Sequence, residues 1–187
     1  TRSFSALWLT ALLHADAQLR FLQADDLTEI FQQVARYFTR ERDVRGYIND
    51  EQGWAHSMAH VADLCVASIR HPQFEVRYGP MILQGLKDAF WKGSVYIDDE
   101  EERLVKVIEA LIAIDFPEEI LIEWVEQVFD KLEVYLYEAG YTKEWFKARS
   151  NTMHFMKTMY FAVKFSNKYE QLRAVTSILI QKWMKLN

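Results

Sequence analysis

Three prolines and six glycines are all that 187 residues offer to break a helix or turn a hairpin. They fall between stretches whose apolar residues recur at helical spacing. So few breakers exclude a turn-rich β fold and leave helices joined by short loops. Short loops make neighbouring helices antiparallel. We therefore expect an all-α fold of about eight helices in antiparallel hairpins. Hairpins of roughly 40–50 residues match the size of HEAT or armadillo units. An irregular, right-handed α-α superhelix is the first architecture, and a globular bundle the second.

The chain opens with "TRSFSALWLTALLHA", with Leu7, Trp8, Ala11 and Leu12 along one helical face. A core helix with so little lead-in suggests a single helical domain over 1–187 that lacks an N-terminal segment of the full-length protein. The second helix, "ADDLTEIFQQVARYF", should be capped by Asp25 or Asp26 and run through Phe38. A third runs from Trp54 to Arg70 and stops before Pro72. Pro80 opens a fourth. An acidic first turn starts the fifth, which runs through Ile114. Pro117 opens a sixth that Gly140 closes. Thr142 starts a seventh, through Phe165. Before the eighth, Asn167 and Glu170 have the spacing of a capping box.

Half the residues are hydrophobic and 14% are aromatic. That is ample for a core and too apolar for disorder. A net charge of −5 with scattered basic residues argues against nucleic acid as a partner. The single Cys65 excludes an intrachain disulfide and a Cys-rich zinc site, and reads as an inert core thiol. No apolar run reaches transmembrane length, and no basic-then-apolar leader is present. A soluble cytoplasmic protein without a membrane partner is the expectation.

The stretch most suggestive of chemistry is "ERDVRGYINDEQGWAHSMAHVADL", residues 41–64. On one helix, His56 and His60 would lie a turn apart with Asp63 on the next turn. Two imidazoles at that spacing plus a carboxylate can hold one divalent metal, with a fourth position open for catalysis. Glu41 or Asp43 would then be the candidate base of a hydrolase-like enzyme. The same three residues can equally form a satisfied polar network, or line a groove that takes a ligand or peptide. Arg45 and Asp43 either order the loop before this helix or turn back toward the histidines. Gly46 allows the bend, and Tyr47 and Trp54 anchor it. In the seventh helix, Arg149 and Asn151 interrupt an apolar run. They read as a hydrogen-bond bracket or as a second wall of the same groove.

Three segments carry a resemblance: "RSFSALWLTALLHAD", residues 41–64, and "ARSNTMHFMKTMYF". Together they resemble the bacterial domain-of-unknown-function family 2785. Its pattern falls on Arg2, Glu41, Arg42, Asp43, Arg45, Gly46, Gly53, Trp54, His56, His60, Asp63, Arg149 and Asn151. The resemblance implies a bacterial, cytoplasmic, all-helical protein with a further N-terminal segment, and it implies no reaction. Motif residues that converge in space would favour a shared site.

The first functional expectation is therefore a scaffold that binds a protein or small molecule in a groove around His56, His60, Asp63 and Arg45. The second is a metal-dependent enzyme using the same residues. The third is a purely structural domain. An exposed apolar patch on the first or last helix would allow a homodimer.

Overall fold

The computed structural model describes residues 2–184. Those residues form nine helices and one small hairpin, and 74% of them are helical. In order they are α1 (Arg2–Leu19), α2 (Ala24–Ala35), α3 (Tyr37–Arg40), β1 (Tyr47–Asn49), β2 (Gly53–Trp54), α4 (Ser57–Ile69), a 3-10 turn (Val76–Tyr78), α5 (Gly79–Ala89), α6 (Glu100–Ala113), α7 (Glu118–Ala139), α8 (Lys143–Ser166) and α9 (Glu170–Met184).

Several expected boundaries hold for the physical reasons that suggested them. Pro80 sits in the first turn of α5, where a missing N–H costs nothing. Thr142 caps α8, its hydroxyl accepting from the Trp145 N–H. Gly140 ends α7 at φ 70°, its N–H bonded to the Leu136 carbonyl.

Other boundaries differ. The expected second helix breaks at Arg36, whose N–H turns to Gln33. The break lets the short α3 lie on α5 beside Gly85, where a Cβ would stand 2.9 Å from Phe38 Cβ. Asp25 and Asp26 do not cap α2. Gln23 holds the cap position, and the two carboxylates lie in the first turn, facing the helix dipole. Asn167 does not start α9. It ends α8 in the left-handed region at φ 54°, which an Asn tolerates well.

The helices pack in two rows. One row runs α1, α4, α6, α8, and the other runs α2, α5, α7, α9. Consecutive long helices alternate between the rows, as short antiparallel connections require. Phe38, Phe90, Phe116, Phe129 and Phe155 are the largest fully buried side chains.

The first helix turns much of its apolar stripe outward. Its buried residues are Ser3, Ala6, Leu13 and Asp16. Trp8 is 74% exposed, and Phe4 and Leu12 lie outward with it. Two polar residues win the inner face because each finds partners there. Asp16 Oδ1 accepts the Leu22 N–H at 2.6 Å, and Asp16 Oδ2 lies 3.1 Å from His71 Nε2. The bond from the Leu22 amide, more than any other influence, holds the Asp16 carboxyl below its ordinary value.

Candidate functional site

The segment before α4 is not helical. Gly53 at φ 67° and the run Asn49–Gln52 close a tight hairpin. Asn49 Oδ1 accepts from the Glu51 and Gln52 amides, a side-chain turn typical of Asn. Tyr47 pairs with Trp54 across the hairpin, with ring centroids 4.9 Å apart. Two aromatic or β-branched runs separated by a short Asn- and Gly-containing loop are the sequence signal of this hairpin.

This corrects the expected Trp54–Arg70 helix and with it the premise of a His–His–Asp face. His56 precedes α4 in the left-handed conformation at φ 44°, and only His60 and Asp63 lie on the helix. The three side chains turn to different partners. The Ser3 hydroxyl donates to the Ala55 carbonyl at 2.5 Å, so His60 Nδ1–H donates to Ser3 Oγ, also at 2.5 Å. Burial pushes the His60 ring down from its ordinary value, against the pull of Asp63, which leaves it neutral at pH 7. Asp63 takes both its bonds from Arg103 of α6, at 3.0 and 3.2 Å. The His56 ring packs tilted against Trp54, with centroids 4.1 Å apart, and edge-on to His60 at 6.1 Å, and its buried Nε2 has no partner among the described residues. Among the described residues, no group of three or more His, Cys, Asp or Glu side chains is arranged to hold a metal ion.

The charged residues Arg2, Glu41, Asp43 and Arg45 of the motif do converge. Glu41 lies just after α3 with only 1% of its side chain exposed. Its Oε1 accepts from Arg2 Nη2 at 3.0 Å and from the Arg42 and Asp43 amides at 2.8 and 2.9 Å, while Oε2 takes Arg2 Nε at 3.3 Å. Burial alone would raise this carboxyl. The Arg2 guanidinium and the two amides outweigh burial and hold it below its ordinary value. A carboxylate so fully engaged is poorly placed to serve as a base. Asp43 is tied in the same way to Arg45, through Nε at 2.9 Å and Nη2 at 2.7 Å. The Arg45 bond holds the Asp43 carboxyl low as well.

These residues line a pocket of about 370 Å³, with Phe4, Gln52 and Trp54 on its walls. The helix start, the loop after α3 and the hairpin thus meet in one place. Ser3 and Phe4 belong to the site and were absent from the motif reading. The "RSF" string was their only signal, and Phe4 there looks like an ordinary apolar helix residue.

Behind the pocket, Gly46 is squeezed between two acidic side chains. A Cβ built there would clash with Asp98 Oδ2 and lie 2.5 Å from Glu100 Oε1 and 2.7 Å from Asp98 Cβ. Asp98 accepts the Tyr47 N–H at 2.9 Å, and Glu100 accepts the Asp98 N–H at 2.9 Å. Burial pushes the Glu100 carboxyl up. Gly46→Ala should therefore cost about 1–3 kcal/mol by overpacking. Urea unfolding of the variant measures this, and an unchanged midpoint would contradict the close approach.

Arg149 and Asn151 do not form a second wall here. Asn151 is buried and brackets the turn between α5 and α6. Its Nδ2 donates to the Phe90 and Ser94 carbonyls, and its Oδ1 accepts the Tyr96 N–H. Arg149 donates to the Trp183 carbonyl at 3.0 Å and lines a different cavity. Cys65 is buried, and burial pushes its thiol far up, in keeping with an inert core residue. No helix of the described residues is long and apolar enough to cross a membrane.

No curated protein and no solved structure matches this chain. One family model does, the one described as "Protein of unknown function (DUF2785)", over residues 1–161. That match takes in every converging residue of the pocket and leaves α9 outside it. The chain belongs to the DUF2785 family.

Proposed function

We propose that the chain is a binding protein whose ligand is a small anion. The ligand would be held by Arg2 and Arg45 in the pocket floored by Glu41 and walled by Trp54. One observation carries this reading: the start of α1 and the distant loop-and-hairpin segment 41–57 meet around one polar pocket of about 370 Å³. That volume is in the range of small-molecule sites.

The chemistry follows from how the charges are used. Glu41 and Asp43 grip the inner edges of the two guanidiniums. The arginine side chains stay 73% and 65% exposed, so their remaining N–H groups face solvent. Two forks fixed from behind are preorganised for carboxylate or phosphate oxygens. Trp54 and Phe4 offer faces for an apolar or planar part of the same ligand. The alternation of helices between two rows supports the wider reading of an α-α superhelical scaffold presenting this pocket.

Calorimetric titration with inorganic phosphate and with citrate, at low salt, tests the reading. Arg45→Ala should weaken binding by about tenfold or more, since a charged hydrogen bond contributes roughly 1.5–3 kcal/mol. It should leave the melting temperature nearly unchanged, because exposed ion pairs contribute little to stability. No saturable heat from either anion, or equal heat from the variant, overturns the anion site.

A second reading has an observation of its own. Arg2 and Ser3 bind α1 to Glu41, Ala55 and His60. On that reading the motif is a clamp for the first helix. Then Arg2→Ala lowers the melting temperature, and Arg45→Ala alters neither stability nor binding.

A further inference from the structure

A larger cavity lies elsewhere. It has a volume of about 450 Å³ and sits among the end of α7, the start of α8 and the end of α9. Its walls are aromatic. Tyr141 and Phe146 stack at 5.7 Å with planes 17° apart, and Trp145 stands edge-on to both. Trp183 lies 6.2 Å from Trp145, closing the aromatic wall from α9.

Two features make this more than an apolar dent. Trp183 Nε1 is buried and has no hydrogen-bond partner among the described residues. A buried N–H left unmade costs about 1–3 kcal/mol, and a small rotation of the ring that brought it to a ligand acceptor would recover that. The second feature is charge. Arg149 and Lys182 line the cavity against a single carboxylate, Glu133. Lys182 is paired with Glu133 at 2.5 Å, whereas among the described residues Arg149 meets only the Trp183 carbonyl.

An aromatic enclosure can hold a cation through its ring faces. Here the two resident cations oppose that use, and the unpaired guanidinium charge favours an anion. We propose that this cavity is a second binding site, for a planar aromatic ligand bearing one carboxylate. The rings take the aromatic body, Arg149 takes the carboxylate, and the Trp183 N–H takes an acceptor oxygen. The site is independent of the Arg2–Arg45 pocket. It also depends on α9, which lies beyond the family match, so it is a property of this chain rather than of the matched region.

The test is a titration of the whole chain with two probes of similar size, 2-naphthoate and benzyltrimethylammonium. The readout is the indole N–H resonance of Trp183, identified by its loss in Trp183→Phe. Naphthoate should move that resonance saturably, and the ammonium should not. Arg149→Gln should weaken naphthoate about tenfold, as expected for one charged hydrogen bond. Trp183→Phe keeps the ring and removes the donor, and should weaken it about fivefold, followed by calorimetry. The Trp54 resonance should stay in place, which separates this site from the other pocket. The proposal is overturned if the ammonium binds as well as naphthoate, or if neither probe moves the Trp183 resonance at millimolar concentration. It is also overturned if naphthoate moves only resonances of the exposed Phe4–Trp8 face.

Discussion

Phe155→Ala should lower the melting temperature by about 10 °C, the largest loss expected from any single side chain here. Phe155 is fully buried on α8, with its ring 5.0 Å from Phe90 and 5.8 Å from Trp124. It joins the two rows, since α8 lies in one while Phe90 ends α5 and Trp124 lies on α7 of the other. Truncating a buried Phe costs about 3–5 kcal/mol, from lost transfer energy and the cavity left behind. In a chain of this length each kcal/mol moves the midpoint by roughly 2–4 °C. Phe155→Leu refills much of the space and should recover about half. Thermal unfolding followed by circular dichroism measures both. A loss under about 1 kcal/mol would mean that the ring is not the junction between rows.

Asn151→Ala should cost about 2–4 kcal/mol, because it strands three backbone groups at once. The Tyr96 N–H loses its acceptor, and the Phe90 and Ser94 carbonyls lose their donors. All three belong to the turn that carries the chain from α5 to α6. Asn151→Asp keeps the acceptor but aims a carboxylate at two carbonyls, and should be at least as damaging. Amide exchange over residues 90–96 supplies the specific readout. It should accelerate more than exchange elsewhere in either variant. If binding of anions to the Arg45 pocket fell while exchange at 90–96 stayed slow, the bracket would be refuted and a site role restored.

How much of this was legible beforehand differs from residue to residue. Pro80, Gly140 and Thr142 mark helix ends correctly because their effects are local. A missing N–H, a left-handed φ and a capping hydroxyl act within one turn. The inner face of the first helix is the opposite case. Leu7, Trp8, Ala11 and Leu12 form the more apolar stripe, yet Ser3 and Asp16 face inward. Hydrogen bonds to Ala55, His60, Leu22 and His71 offset the cost of burying them, and those partners lie elsewhere in the chain.

The site divides in the same way. That Glu41, Asp43, Arg45 and Trp54 belong together was expected from proximity in sequence, whereas Arg2 entered only through the family pattern. That His56, His60 and Asp63 share a helix face was expected from spacing and does not hold. Spacing on a helix is informative only once the helix is there, and the Asn49–Gly53 turn ends the helix's reach at Ser57.

The sequence by itself determined the all-α class, most of the helix ends and the absence of a disulfide between residues 1–187, because breakers, caps and a single cysteine are countable and local. The tertiary structure decided which faces are buried, which carboxylate meets which guanidinium, and that Arg149 and Asn151 serve two different places. Those outcomes depend on contacts between residues 34 to 61 positions apart. Such contacts form only when the rows of helices close on each other, and no local pattern encodes where a distant partner will be.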